Sequence, residues 1–264
     1  MNVMDQLMER AAQDPKRVIF PETGEEMIYR LARAAADRGI AHPVLLGEPT
    51  QMEAFARTLG ISLDGITLAD TTDTSRKEYV AAEYAAVNPL LSVKAVRRRL
   101  ETPLNYAMVL TRLGYVDAVA AGRVHSTGDV ILAGQTFVGM QEGIRTVSSL
   151  GVLDVPGFSG SEGTLVGITD CAVNAFPTAE ELCDIAIASA DTVAQLFGWE
   201  ARIAVLGFST KGSSGRPEQD KLLKAVELVH VRRPDLCIDG EMQLDSALNP
   251  EVASRKLPEG SPVA

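Results

Sequence analysis

Short apolar runs alternate along the chain with longer stretches whose apolar residues return every three or four positions. The first pattern is that of buried strands, the second that of amphipathic helices. "RVIF" (17–20), "HPVLLG" (42–47) and the weaker "GITLAD" (65–70) predict three strands. Between the first two, Thr23 and Glu26 have the spacing of a capping box. Met27, Leu31, Ala34 and Ala35 then share one helical face, which stops at Gly39. "TQMEAFARTLG" (50–60) predicts the next helix. Residues 74–113 read as mainly helical, interrupted at Pro89, with Pro103 early in the last helix. "VDAVAAG" (116–122) predicts a buried strand, and a helix is expected over about 129–140.

In the second half, "IRTVSSLGVL" (144–153) and "GTLVGITD" (163–170) predict strands on either side of "PGFSGSEG". That Gly/Ser/Pro-rich turn suits a hairpin-like connection or the entrance to a second domain. Residues 177–198 carry the clearest helix signal, with Thr178 and Glu181 in a second capping box. Leu182, Ile185, Ala186, Ser189, Ala190, Val193, Leu196 and Phe197 form its inner stripe. "ARIAVLGF" (201–208) is a buried strand, followed by a helix starting near Arg216 and Pro217 and running to 232. Leu222, Leu223, Val226 and Val229 suit its inner face, Pro234 marks its end, and "LCIDGE" (236–241) is a last strand. Alternating strands and helices predict an α/β fold of mostly parallel sheets with helices on both faces. In such sheets ligands bind beyond the carboxyl ends of the strands. Three of those ends carry unusual chemistry: "GRVHSTGD", "TDCAVN" and "FSTKGSSG".

Composition narrows the choice. The chain has 264 residues, room for two small domains or one large one. No run approaches the roughly 20 apolar residues that cross a bilayer, and "MNVMDQLMERAAQDPKR" is too polar for a secretion signal, so no membrane partner is expected. A formal net charge of −10 argues against general nucleic-acid binding. It leaves room for an anionic small ligand held in a locally positive pocket. Cys171, Cys183 and Cys237 lack CxxC spacing, and His42, His125 and His230 lack HExxH or HxH spacing. No disulfide framework or metal site is expected, and the sparse cysteines point to the cytoplasm. Cys171 is expected to be buried and inert.

Each of the three loops has a chemical and a bland reading. In "FSTKGSSG", Ser209, Thr210, Gly212, Ser213 and Lys211 are the ingredients of a phosphate or oxyanion cradle, although no Walker A pattern is present. They are also ordinary residues of a flexible loop. In "GRVHSTGD", Arg123 suits an anionic group, Ser126 and Thr127 suit phosphate oxygens, and His125 suits a reacting group near neutral pH. Ser126 or Thr127 equally suits a helix N-cap. In "TDCAVN", Asp170 and Asn174 can orient a donor or make an Asx-type turn. Asp239, Glu241 and Asp245 match no calcium loop and are expected to be structural or to wall a pocket. "RRR" (97–99) reads as a solvated helix face.

Taken together, "GRVHSTGDV" (122–130), "RTVSSLGVL" (145–153), "ITDCAVNAFPTAEELCDIAIASADTVAQLFG" (168–198), "RIAVLGFSTKGS" (202–213), "RRPDLCIDGEMQLDSAL" (232–248) and "SPVA" (261–264) resemble the phosphate acetyl/butyryl transferase family. The resemblance implies two α/β domains flanking a cleft, isocitrate/isopropylmalate dehydrogenase-like, with the break expected at 143/144. It implies reversible acyl transfer between coenzyme A and inorganic phosphate, usually with acetyl-CoA and acetyl phosphate, in acetate metabolism. Coenzyme A is then a substrate, with no tightly bound cofactor and no metal in the chemistry, and the protein is a homodimer. The implied substrate-binding residues are Arg123, His125, Ser126, Thr127, Asp170, Asn174, Ser209, Thr210, Lys211, Gly212 and Ser213.

Two departures from the family pattern stand out. The family chain continues after "SPVA" into a strand-and-helix section ending in an "NDLSRG" segment, whose serine, arginine and aspartate bind phosphate and help deprotonate the thiol. On that comparison the chain is expected to be C-terminally truncated. The family helix after "HST" carries an arginine where Leu132 stands, and Arg123 is the candidate substitute. The alternatives are a non-catalytic acyl-CoA-binding module that regulates or assembles a partner, and a butyryl or propionyl transferase.

Overall fold

A computed structural model describes residues 3–215 and 217–264, apart from the side chain of Glu218. The expected helix start at Arg216 lies outside these residues. The chain forms two compact units, residues 1–139 and 140–264.

The first unit runs α1 (Val3–Gln13), β1 (Lys16–Phe20), α2 (Glu26–Asp37), β2 (Ala41–Gly47), α3 (Pro49–Leu59), β3 (Thr67–Asp70), α4 (Thr74–Val87), α5 (Val93–Arg99), α6 (Pro103–Arg112), β4 (Ala118–Val119) and α7 (Thr127–Ala133), then a π-helical turn over Gly134–Val138. Its sheet is parallel throughout, in the order β3-β2-β1-β4. Ile19 pairs with Val44 and Phe20 with Leu45. The two-residue strand period sends Ile19, Val44 and Leu46 into one core with Val80, Tyr84 and Val109 of α4 and α6. Phe20 and Leu45 enter a second core with Ile28, Tyr29 and Ala32 of α2 and Met52 and Ala56 of α3. Burying each such large aliphatic or aromatic side chain stabilises the fold by about 1.5–3 kcal/mol. Both faces of the sheet are therefore covered by helices.

Several expectations are corrected here. Thr23 is not the cap of α2: the N-cap is Glu25, which makes no side-chain cap bond. The Thr23 hydroxyl instead donates to the carbonyl of Leu46 at 3.1 Å and ties the β1–α2 loop to the end of β2. The buried face of α2 is Ile28, Tyr29 and Ala32, while Met27 and Leu31 are about half exposed, at 47% and 50%. The helix carries apolar residues on two stripes. The larger Tyr29, stacked edge-on against Phe55 at 5.2 Å, decides which one turns inward. β4 is only two residues long; the Ala120 N–H still reaches the Ile19 carbonyl at 3.0 Å, and from Gly122 onward the amides turn to Glu22 instead.

The second unit contains β5 (Leu150–Asp154), β6 (Leu165–Thr169), α8 (Ala179–Phe197), β7 (Arg202–Leu206), a 3₁₀ turn (Pro217–Gln219), α9 (Asp220–Arg232), β8 (Cys237–Met242), α10 (Leu244–Leu248) and α11 (Pro250–Lys256). β5 and β6 are an antiparallel hairpin, and β7 and β8 a parallel pair. The capping box of α8 forms as expected, between Thr178 and Glu181. Cys183, Ala186 and Ile187 of α8 pack with Val226 and Val229 of α9 and Ile238 of β8.

The strand expected from residue 144 begins only at Leu150. The buried Asp184 of α8 accepts the backbone N–H of Arg145 at 2.8 Å and the hydroxyl of Thr146 at 3.2 Å. Arg232 balances that charge at 2.6 Å. A carboxylate thus satisfies this segment in place of a ladder partner. Cys171 is exposed, contrary to expectation, because it sits in the turn after β6. Among the described residues no helix is long and apolar enough to cross a membrane.

Candidate functional site

The three polar loops at the strand ends are each organised round one carboxylate. At the end of β1, Glu22 is almost completely buried, with its side chain 1% exposed. It accepts the backbone N–H of Gly122 at 3.2 Å, Arg123 at 2.8 Å, Val124 at 2.9 Å and His125 at 2.9 Å. It also meets the Nδ1 of His125 at 2.9 Å. Burial pushes the Glu22 pKa up, but the bonds from His125, Val124 and Arg123 outweigh it and bring the value down to about 2. An ionised carboxylate only accepts, so the Nδ1 of His125 donates to it. Convergent amides here form the kind of concavity that binds anions, and Glu22 is the anion that fills it.

The rest of that loop divides into cap and surface. Ser126 is the N-cap of α7: its hydroxyl accepts from the backbone N–H of Asp129 at 3.2 Å and donates to the Asp129 carboxylate at 2.6 Å. Thr127 is the first residue of the helix and is exposed. The Arg123 guanidinium is 60% exposed and lies 3.8 Å from Glu25. Leu132, on α7, is exposed as well.

The turn after β6 is built on Asp170. One of its oxygens accepts the N–H groups of Ser149, Ala172 and Val173 at 3.2, 3.0 and 3.2 Å, and the hydroxyl of Ser149. The other accepts the backbone N–H of Asn174 at 2.8 Å and its side-chain amide at 2.6 Å. Burial raises the Asp170 pKa, yet the Ala172, Ser149 and Asn174 bonds hold it far below the usual carboxylate range. Asp170 and Asn174 therefore brace the turn on each other.

The loop after β7 closes over Glu241. Val205 pairs with Gly240 but Leu206 pairs with Met242, so Glu241 is the extra residue of a bulge. A bulge re-aims the side chain it carries. A Cβ on Gly240 would lie 2.8 Å from the Cβ of Val205, so only glycine fits beside the bulge. Glu241 is fully buried. It accepts the Ser209 hydroxyl at 2.7 Å and the Gly212 N–H at 3.1 Å, while its own carbonyl accepts the Lys211 N–H at 3.0 Å. Ser209 and Thr210 are buried, and the Ser213 hydroxyl accepts the N–H of Thr210 at 3.3 Å. Lys211 adopts φ 49° and turns its ammonium onto Asp239. Asp239 also accepts the hydroxyl of Ser261 at 2.6 Å. Burial raises the Asp239 pKa, and Lys211 and Ser261 more than reverse that.

The eleven residues singled out from sequence thus divide between the units: Arg123, His125, Ser126 and Thr127 in the first, the other seven in the second. Sequence reasoning missed Glu22 altogether, and it gave Glu241 a structural or pocket-wall role without placing it under the 209–212 loop. The available signal was an acid at the end of an apolar run, two residues past β1 for Glu22 and inside β8 for Glu241. Among the described residues no group of three or more His, Cys, Asp or Glu is placed to hold a metal ion.

A family model described as "Phosphate acetyl/butaryl transferase" matches residues 2–264. The phosphate acetyltransferase of Clostridium acetobutylicum is 34% identical over 260 residues, covering 98% of this chain and 78% of its own. A phosphotransacetylase structure from Streptococcus pyogenes superposes with a TM-score of 0.86 at 28% identity, covering 99% of this chain and 78% of that one. The EutD phosphotransacetylase of Staphylococcus aureus shares the fold, with a TM-score of 0.87 at 23% identity over 98% of this chain and 78% of its own. Matched from its second residue to its last, the chain belongs to the phosphate acetyl/butyryl transferase family.

Proposed function

We propose that this chain transfers an acetyl group reversibly between coenzyme A and inorganic phosphate. The observation that carries the reading is the family match over residues 2–264, joined by relatives named phosphate acetyltransferase. In the direction of acetyl-CoA formation, the thiolate sulfur bonds to the carbonyl carbon of acetyl phosphate. The bond from that carbon to the phosphate oxygen then breaks, and phosphate leaves with the electron pair. Both reactants are anionic, so the work of the protein is to orient them and to balance charge.

The strand-end loops supply groups for this. Arg123 is an exposed cation in the same loop as His125, and Thr127 adds a hydroxyl. Lys211 brings a second cation, with Ser209, Thr210, Gly212 and Ser213 shaping its loop, and Asp170 and Asn174 brace the turn after β6. Glu22 and Glu241 act through these loops by fixing their backbones. The finer parts of the reading are an isocitrate/isopropylmalate dehydrogenase-like pair of domains, a homodimer and a cytoplasmic location. Light scattering at micromolar concentration tests the dimer.

One observation favours a second reading, an acyl-CoA-binding module without turnover. Many donors of the three loops already serve internal carboxylates. The test is the release of coenzyme A from acetyl-CoA in phosphate or arsenate, with propionyl- and butyryl-CoA as comparators. Turnover that needs phosphate or arsenate and is fastest with acetyl-CoA is expected. Saturable acetyl-CoA binding without turnover would replace the transferase by the module.

A further inference from the structure

The first sheet runs in the order β3-β2-β1-β4, so the chain adds β2 and β3 on one side of β1 and then returns to place β4 on the other. The connections that leave β1 and β4 go to opposite faces of the sheet. α2, which follows β1, packs with Phe20 and Leu45. Ala133 of α7 and Phe137 of the π-helical turn, which follow β4, pack with Ile19 and Val44. Neighbouring strands whose continuations part in this way leave a crevice at their carboxyl ends, the place where open α/β sheets bind ligands. Glu22 bridges it from the loop after β1 to the amides of residues 122–125 in the loop after β4. The Glu22 side chain is 1% exposed and that of His125 is 27% exposed, so the pair shows solvent its imidazole and not its carboxylate. Nδ1 of the ring is taken by Glu22 at 2.9 Å, while Nε2 makes no hydrogen bond among the described residues. A ring pinned at one nitrogen has its other nitrogen aimed before any ligand arrives.

We infer that Glu22 is a positioning residue for the phosphate-bearing reactant: by holding Nδ1 it aims Nε2 of His125 into the crevice between β1 and β4, where Nε2 hydrogen-bonds a phosphate oxygen. The inference rests on the acyl-transfer reading for its choice of phosphate as ligand. It goes beyond that reading by giving a buried carboxylate, which never touches the ligand, control over its binding. Convergent backbone amides are themselves an anion site, and here Glu22 fills it. An incoming anion therefore meets the ring and not the amides. The hydrogen bond at Nε2 carries one proton, which either the ring or the phosphate brings.

The test is nitrogen-15 NMR of the imidazole rings of the whole chain, titrated with inorganic phosphate. The histidines are His42, His125 and His230, and the signal lost in His125→Asn identifies the ring in question. Phosphate is expected to shift Nε2 of His125 saturably and to leave the other two rings unmoved. His125→Asn keeps a donor for Glu22 but removes Nε2, and is expected to bind phosphate about tenfold more weakly by calorimetry while unfolding at a similar temperature. Glu22→Ala releases the ring and should lose about the same factor. In the His125→Asn background it should add no further loss, a result that a purely structural role would not give. Glu22→Gln, which keeps an acceptor for Nδ1, should recover most of the affinity. If Glu22→Ala does not fold, the Nε2 signal, His125→Asn and Glu22→Gln decide. An unmoved Nε2 signal under phosphate, or losses that add in the double variant, would overturn the inference even where the wild type releases coenzyme A and the transferase reading stands. A shifted Nε2 signal in a wild type that releases no coenzyme A would uphold the pair as an anion site and remove the transferase reading.

Discussion

One carboxylate oxygen of Glu22 meets both the backbone N–H and the ring Nδ1 of His125, each at 2.9 Å. The two residues lie 103 positions apart in the chain. Their contact fixes the path of the 122–125 loop and the orientation of its histidine ring in a single step. With Nδ1 occupied, Nε2 is the nitrogen left for a substrate.

Replacing Glu22 tests that arrangement. In Glu22→Ala the four N–H groups lose a buried acceptor, each worth about 1 kcal/mol or more when left unpaired. A total loss of about 4 kcal/mol is expected in urea unfolding. Glu22→Gln keeps one acceptor oxygen but sets an amide against the Arg123 N–H, and about half that loss is expected. An unchanged unfolding midpoint in both variants would show that the loop does not depend on Glu22.

Glu241 makes the matching case in the second unit. Its Oε1 accepts both the Ser209 hydroxyl and the Gly212 N–H. Glutamine retains that oxygen, whereas alanine leaves both donors unpaired in a buried site. Glu241→Ala is expected to cost about 3 kcal/mol and Glu241→Gln clearly less. Equal losses would mean that charge rather than hydrogen bonding holds the loop.

Lys211 and Asp239 make opposite predictions for phosphate. The ion pair keeps the ammonium on Asp239, so an incoming anion competes with that carboxylate. Lys211→Met is expected to raise the KM for phosphate about tenfold, with a smaller change in kcat. Asp239→Asn releases the ammonium and is expected to lower that KM. Identical KM values in both variants would remove Lys211 from the anion site.

Cys171 is exposed and Cys183 buried, with burial pushing the Cys183 thiol up despite Arg232 nearby. A thiol reagent is expected to label Cys171 first and Cys183 only on unfolding. Cys171→Ser should remove the fast phase and leave turnover unchanged. Loss of turnover would give Cys171 a chemical role that its surroundings do not suggest.

The framework of the fold was legible wherever a single period dominated. β1 and β2 carry unbroken apolar runs over 18–20 and 43–46, and α8 announces its start through Thr178 and Glu181. α2 was misread because Met27 and Leu31 repeat as regularly as Ile28, Tyr29 and Ala32, and periodicity alone cannot rank two stripes. The loops were legible as polar strand ends but not as closed networks. Glu22 binds amides about a hundred residues away, and Glu241 owes its direction to a bulge set by pairing with β7. Neither long-range pairing nor a bulge leaves a local pattern in sequence.

Acid unfolding reads the Glu22 network directly. The folded pKa is about 2, lowered from an ordinary value of 4.5. Because the folded value is the lower one, the native state holds the charged form more tightly than the unfolded chain does. The resulting stabilisation is present in full above about pH 4.5 and is lost as pH falls towards 2. A shift of that size corresponds to about 3 kcal/mol. Other lowered carboxylates, such as Asp170, titrate in the same acid range, so the wild type alone does not isolate Glu22. The difference between wild type and Glu22→Gln does. That difference is expected to be constant from pH 5 to 7 and to shrink below pH 4.5, followed as the urea midpoint at each pH. A difference that stays constant down to pH 2.5 would show that Glu22 is already neutral in the folded protein, and the amide cradle would then hold no charge.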